Sequence, residues 1–155
     1  MSNLNINQQS MTPVIGLLAM ELPAGGVISG QVSANQATAL VPGQFVKLDT
    51  TITAGSVLQF VAAAQGDKAY GFLPFNVKTG SFTKGDRVEV VRYGVVYLQN
   101  TSAAAITQGA QVESDTTGLL IEALNSGSLR GVSLDYIPAS GVGRVEFSRA
   151  DQAHA

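Results

Sequence analysis

The sequence predicts an all-β fold, a small β-barrel or β-sandwich built from hairpins with an extended N-terminal arm. Apolar stretches of strand length recur at intervals of roughly ten residues and are separated by Gly, Pro, Asn, Asp and Ser, which favour turns. Between Phe82 and Gln99 the side chains alternate between apolar and polar, which is typical of a strand with one buried face. Helical periodicity is almost absent, and the best helix candidate, the Ala-rich stretch 102–105, is too short to change the fold class.

Residues 1–12 carry few apolar side chains among many Asn, Gln and Ser, so they cannot bury enough surface to fold alone. We expect residues 1–22 to form an arm that becomes ordered on a partner; simple disorder or a cloning remnant is the alternative. The apolar residues 14–22 would continue that arm as an anchor, form a first strand or make a helical turn. A folded domain over residues 23–148 and a polar tail over residues 149–155 complete the predicted organisation.

The rest of the pattern predicts short strands broken by turn residues. Residues 23–26 break the chain, and Pro42-Gly43 forms a turn. Pro74 requires a sheet edge or a bulge, because proline cannot donate a ladder hydrogen bond. Residues 115–118 form a four-residue loop between two of the later strands. The predicted strands outside the central stretch cover residues 27–32, 45–48, 57–63, 69–77, 111–114, 119–123, 129–137 and 142–147.

The central stretch predicts a tight hairpin. Val88 and Val90 point to one side of an extended backbone, and the charged residues beside them point to the other. Tyr93-Gly94 interrupts the run, and β-branched and aromatic residues then resume it. Gly94 would supply the positive φ that a two-residue turn requires, or the loop is one residue longer.

Two short phrases recur and indicate that the fold reuses a strand-turn-strand unit. Residues 83–88 are matched by 107–112 and more loosely by 41–46, each with a glycine three residues before an apolar residue that opens a strand. Residues 69–73 are matched by 129–134. The spacing is not fixed, so neither a solenoid nor a propeller is predicted.

The composition narrows the class of protein. Charged residues make up only 13% of the chain, about half the usual share, and uncharged polar residues replace them, as in many extracellular and virion proteins. The formal net charge is -2 and the nine Lys and Arg are scattered singly, which argues against nucleic-acid binding. The apolar run 14–20 is too short for a membrane span and lacks the basic flank of a signal peptide. We therefore expect synthesis in the cytoplasm, and a particle assembled there and later released would reconcile this with the composition.

No residue pattern indicates an enzyme, a cofactor or a metal site. The only histidine, His154, lies in the polar tail, where neither a catalytic base nor a metal ligand is held rigidly. The chain has no cysteine, so zinc and copper sites are not expected. Aspartates at or beside turns hydrogen-bond to nearby backbone, which is a structural role. These aspartates are Asp49, Asp67, Asp86, Asp115 and Asp135.

The glycine-led strand starts, followed by a Gly-Val-Val run and a late Gly-Val pair, resemble the pattern of the small phage capsid decoration proteins, also called structural cement proteins. The resemblance covers roughly residues 25–147. Its elements in this sequence are Pro42-Gly43-Gln44-Phe45-Val46, Gly85-Asp86-Arg87-Val88-Glu89-Val90, Gly94-Val95-Val96-Tyr97-Leu98, Gly109-Ala110-Gln111-Val112, Gly118-Leu119-Leu120 and Gly131-Val132-Ser133.

The resemblance implies a non-enzymatic protein that binds the outer surface of an assembled icosahedral head, with the major capsid protein as its partner. It also implies a homo-oligomer, with a trimer favoured, that clamps neighbouring capsid subunits and needs no cofactor, nucleic acid or membrane. The arm would then lie across the shell. The side chains expected to be buried in that contact are Leu4, Ile6, Met11, Val14, Ile15, Leu17 and Leu18.

Two other classes of function fit the same pattern of strands and turns. A tail-associated or receptor-binding domain, an adhesin, would bind carbohydrate through a polar all-β surface. A hydrolase would need two carboxylates about 5 to 9.5 Å apart that converge only in the folded chain.

Overall fold

The computed structural model describes residues 15–16, 26–64, 66–75, 80–115, 120–122 and 131–147. Every regular element in this part of the chain is a β-strand, which confirms the all-β prediction. The ten strands are β1 Val27–Val32, β2 Phe45–Leu48, β3 Gln59–Ala62, β4 Gly71–Phe72, β5 Arg87–Val91, β6 Gly94–Gln99, β7 Gln111–Ser114, β8 Leu120–Glu122, β9 Gly131–Ser133 and β10 Val142–Phe147.

The first five strands close into a barrel in the order β1-β3-β2-β4-β5. Strand β1 completes the closure, because it pairs antiparallel with β5 on one side and parallel with β3 on the other. Alternate side chains of the strands point inward and fill the interior. The buried residues of this cluster are Val32, Leu40, Val46, Phe60, Leu73, Phe82, Val88 and Val90.

The last five strands form an open antiparallel sheet in the order β6-β10-β9-β7-β8. Barrel and sheet are joined by a second cluster of buried side chains to which both contribute. Its members are Phe45, Ala63, Ala69, Phe72, Val91, Val96, Leu98, Ile106, Val112, Ile137, Val145 and Phe147. The two groups of strands therefore share one continuous core at their interface.

The sheet repeats the connectivity of the barrel strand by strand. The pairs β1–β5, β2–β3, β2–β4 and β4–β5 of the barrel recur as β6–β10, β7–β8, β7–β9 and β9–β10. The registers agree as well, since Val46 lies opposite Gly71 in the barrel and Val112 lies opposite Gly131 in the sheet. The fold is thus two copies of a five-strand unit, and the repeated phrases of the sequence are pieces of that unit.

The two units differ in closure. In the barrel, the N–H of Gln31 donates to the carbonyl oxygen of Leu58 at 2.9 Å, and the N–H of Ser33 donates to that of Phe60 at 2.8 Å. These bonds form the seam between β1 and β3. No pair joins the equivalent strands β6 and β8 among the residues that the structure describes. The second unit is an open version of the first.

Four equivalent turns lead into β2, β5, β7 and β10. Gly43, Gly85 and Gly109 have φ angles of 82°, 87° and 82°, and in each case the next N–H donates to the carbonyl oxygen three residues earlier. A turn of this kind needs positive φ at its third residue, which glycine adopts without strain. Before β10 the same place is taken by Ser140 with φ of 60°. Because this residue is a serine, the glycine-led phrase that marks the other three turns in the sequence is absent before β10.

The tight hairpin predicted around Tyr93-Gly94 is wrong. Strand β5 pairs with β1 and β4, whereas β6 pairs with β10, so the chain passes from barrel to sheet between Val91 and Gly94. Both strands alternate like the arms of a hairpin because each has a buried face, but they lie in different units. The hairpins between consecutive strands are β2–β3, β4–β5, β7–β8 and β9–β10.

Three of the turn aspartates, Asp49, Asp67 and Asp86, accept hydrogen bonds from backbone two or three residues away, as the sequence predicts. Asp86 accepts from the N–H of Thr83 at 2.7 Å, and Asp67 accepts from the N–H of Ala64 at 2.8 Å. Asp49 accepts from the hydroxyls of Ser33 and Thr51 and from the amide of Asn35. These bonds, above all the one from Ser33, hold the pKa of the Asp49 carboxyl well below its ordinary value.

Acid should weaken the fold through Asp49. Because its pKa is lower in the folded than in the unfolded chain, the ionised carboxylate stabilises the fold above about pH 4, and this contribution is lost as the pH falls through the folded-state pKa. We expect Asp49→Asn to unfold at a lower temperature than the natural chain at about pH 7, and the difference to shrink towards about pH 2. Thermal unfolding at several pH values measures this, and a difference that stays constant across that range would contradict it.

Candidate functional site

A two-residue piece of the predicted arm is attached to both five-strand units. Gly16 donates its N–H to the carbonyl oxygen of Tyr97 in β6 at 2.7 Å. The carbonyl oxygen of Gly16 accepts a hydrogen bond from the N–H of Phe75, which follows β4, at 3.0 Å. Ile15 and Gly16, the arm root, therefore bridge the open sheet and the barrel. Any contact made by the preceding residues is made from this fixed point.

Two neighbouring glycines make the attachment possible. Gly16 is buried and has φ of 80°, and a Cβ placed on it would lie 2.8 Å from the backbone nitrogen of Phe75. A Cβ placed on Gly43 would lie 2.6 Å from Cγ2 of Ile15. Glycine is the residue that permits such a close approach of two backbones. Replacing either glycine would push the arm root away from the domain.

The arm root meets β6 on the edge that the second unit leaves open. Tyr97 of β6 is equivalent to Ser29 of β1, because the two lie opposite equivalent residues of β10 and β5. Backbone groups two residues apart in a strand point to the same side. Gln31, two residues after Ser29, uses that side to pair with β3. Gly16 therefore takes part of the place that β3 fills in the barrel.

Ile15 is the one predicted arm contact that the structure describes. It is half-buried, and its side chain lies over Gly43 of the domain. The other predicted contacts lie outside the described residues and stay predictions, as do the boundary at residues 22–23 and the tail over 149–155. These contacts are Leu4, Ile6, Met11, Val14, Leu17 and Leu18.

Phe75 adds an apolar surface beside the arm root. Its backbone is bonded to Gly16, yet the residue is 41% exposed. Sequence reasoning missed Gly16, Phe75 and Tyr97, because the contact joins three segments that are far apart in the chain. The only local signal was a glycine inside the apolar run 14–20. The other exposed large apolar residues in the described part are Val27, Val41, Val57, Leu58, Val132 and Tyr136.

Two carboxylates of the described residues form ion pairs within the fold. Asp67 pairs with Lys47 at 2.8 Å, and Asp135 pairs with Arg144 at 2.7 Å. The hydrogen bond from Arg144 lowers the pKa of the Asp135 carboxyl. Within the described ranges, no three His, Asp or Glu side chains come together where they could hold a metal ion. The same ranges contain no helix with the length and apolar character needed to span a membrane.

Residues 25–147 match the family model described as phage cement protein. The matched region contains all ten strands, and thus both five-strand units, and leaves the arm root outside. Among solved structures, the crystal structure of the head fiber gp8.5 N base in bacteriophage phi29 is similar with a TM-score of 0.53 at 12% identity, covering 83% of this chain and 98% of that chain. That likeness shows a shared fold. No curated protein matches the sequence.

Proposed function

Since this chain belongs to the phage cement protein family, we propose that it binds the outer surface of an assembled phage head and stabilises the contacts between neighbouring major capsid subunits. Membership of that family makes it a head-associated structural protein of the virion. In the proposed role it acts by binding alone, without catalysis or a cofactor. It is made in the host cytoplasm and works as a homo-oligomer, with a trimer favoured.

The observation that supports a clamping role is the arm root. Gly16 is hydrogen-bonded to the sheet through Tyr97 and to the segment after β4 through Phe75. A force applied to an arm attached at Gly16 would act on both five-strand units and on the core between them. An arm attached in this way can connect the folded domain to a capsid subunit beside it.

The energetics suit many weak sites on one shell. A polar segment that orders only on docking loses conformational entropy, so each arm binds with modest affinity for the surface that it covers. Oligomerisation compensates for this modest affinity. Once one arm of a trimer is bound, the other two arms are held near the shell and bind at a high effective concentration. Tight attachment to the head then needs no single strong contact.

Removal of the first twelve residues of the arm tests the proposal. We expect deletion of residues 1–12 to leave a folded domain, because the arm root and all ten strands remain, and to weaken binding to purified heads by about a hundredfold. Cosedimentation with heads before and after shell expansion measures the affinity and the ratio to the major capsid subunit. Saturable binding of the full chain to expanded heads at a fixed ratio is the expected result.

A deletion at the other end is the control. The polar tail over residues 149–155 contains none of the apolar side chains proposed to contact the shell, and its removal should leave binding unchanged. Absence of binding by the full chain to either form of the head would overturn the cement role. Full binding by the chain lacking residues 1–12 would overturn the part assigned to the arm.

A further inference from the structure

A cavity of about 470 Å³ lies at one end of the barrel. It forms where β2 ends, β4 begins and β5 ends, because these strands are neighbours and their ends meet there. Its walls combine three cationic side chains with apolar and aromatic ones. The lining residues are Lys47, Leu48, Thr50, Lys68, Ala69, Tyr70 and Arg92.

The cavity concentrates positive charge in a protein whose formal net charge is -2. Three of the nine Lys and Arg of the chain line it. Lys47 is paired with Asp67 at 2.8 Å. Among the described residues, no carboxylate lies within ion-pair distance of Lys68 or Arg92. The cavity therefore carries two cations whose charge is not balanced by any carboxylate of the described residues.

Arg92 is held in position and still has a donor to offer. Its guanidinium lies over the ring of Tyr70, 4.4 Å from the ring centre, and Tyr70 packs on Phe60 of the barrel core at 5.6 Å. The Nε atom of Arg92 is buried and has no hydrogen-bond partner among the described residues. Buried donors are almost always satisfied in folded proteins. An oxygen atom of a bound group would satisfy this one once the guanidinium turned to expose it.

The second five-strand unit shows that the fold does not require these cations. Register equivalence places Glu113 at the position of Lys47, and Phe147 at the position of Arg92. Glu113 and Phe147 are each only 3% exposed, so the same backbone is stable with other chemistry there. At these two positions only the first unit carries cations, and a binding role accounts for them.

We propose that this cavity receives an acidic side chain, Asp or Glu, from a peptide segment of the capsid partner. The proposal rests on the cement function inferred above. A guanidinium and a nearby ammonium match a carboxylate through charge-assisted hydrogen bonds. The apolar walls of Leu48, Ala69 and Tyr70 suit the aliphatic part of such a side chain. The cavity thus acts as a second contact with the head, separate from the arm.

The proposed site is tested by comparing head binding of two double variants. One lacks two positive charges inside the cavity, and the other lacks two positive charges outside it. We expect Lys68→Gln together with Arg92→Gln to weaken binding to expanded heads by about tenfold or more, because a desolvated carboxylate would be left unpaired. Lys84→Gln together with Arg87→Gln removes the same charge from exposed positions outside the cavity and should leave binding within about twofold. Equal binding by the cavity variant and the natural chain would overturn the proposal while the cement function stands.

A peptide experiment gives a readout that does not depend on heads. Hexaglutamate should shift the ¹H–¹⁵N resonance of Arg92 Nε in the full chain, and hexaglutamine should not. The Lys68→Gln, Arg92→Gln variant should no longer bind hexaglutamate. An equal response to inorganic phosphate at the same concentration would overturn the assignment to a peptide carboxylate, and no response to hexaglutamate would overturn the site itself.

Discussion

Replacing Phe147 with alanine should lower the free energy of unfolding by about 4 kcal/mol. Phe147 is 3% exposed and ends β10. Its ring lies 5.2 Å from that of Phe45 in an edge-on arrangement and 5.3 Å from that of Phe72, so it joins the sheet to two strands of the barrel. Truncation removes both aromatic contacts and leaves a cavity in the core that the two five-strand units share.

Chemical denaturation at equilibrium measures this loss. Tyr136→Ala is the control, because Tyr136 is also aromatic and is 65% exposed, so its truncation should cost less than about 0.5 kcal/mol. A loss below about 1 kcal/mol for Phe147→Ala would mean that the interface between the units contributes little to stability. Two separate unfolding transitions in the variant would show that Phe147 couples the units.

The fold class and most strands could be predicted from the sequence because they depend on local periodicity and turn chemistry. The turns at Gly43, Gly85 and Gly109 could be found because positive φ favours glycine there. The pairing of β5 with β1, and of β6 with β10, could not be found in this way. A glycine with positive φ after an alternating strand has the same local pattern in a hairpin as in a passage between two sheets, and only distant contacts distinguish them.

The candidate sites could also be predicted only in part, because they depend on contacts between distant segments of the chain. Ile15 was singled out by its apolar character, but the attachment of the arm root depends on Gly43 and Phe75, which are distant in sequence. The cationic cavity was missed because Lys47, Lys68 and Arg92 are scattered singly and converge only when the barrel closes. The scattered charges along the chain argued against nucleic-acid binding, whereas their positions in the folded domain form one small cationic cavity.

Comparison of the two five-strand units distinguishes the features needed for folding from those proposed for binding. Both units share strand order, register and turns, so these features are what the five-strand unit needs in order to fold. The differences between the units are the features to which we assign binding. The first unit has a closed seam and the cationic cavity, and the second has an open edge on which Gly16 is bonded to Tyr97. Each unit thus contributes a different proposed contact with the head.

Gly71→Ala should destabilise the protein by about 3 kcal/mol, near the upper end for overpacking in a core. A Cβ on Gly71 would collide with the carbonyl oxygen of Val91 and lie 2.7 Å from Cγ1 of Val90. The carbonyl group of Val91 belongs to the backbone of β5. Because β5 also pairs with β1 on its other side, it cannot shift away from the added Cβ without opening the barrel. The expected fall in melting temperature is about 6 to 12 °C for a chain of this size.

The equivalent glycine of the open sheet provides the comparison. A Cβ on Gly131 would lie 2.6 Å from Cγ1 of Val145 and 3.0 Å from the carbonyl oxygen of Glu146. Its nearest backbone obstacle lies farther away than that of Gly71, although the side chains of Val145 and Phe147 that it meets are buried, so Gly131→Ala should cost less, about half as much. Gly80→Ala is the control, because nothing lies within 4 Å of a Cβ there. If Gly71→Ala and Gly131→Ala proved equally costly, the closed barrel would be no more rigid than the open sheet, since an equivalent backbone position would then tolerate a methyl group equally in both.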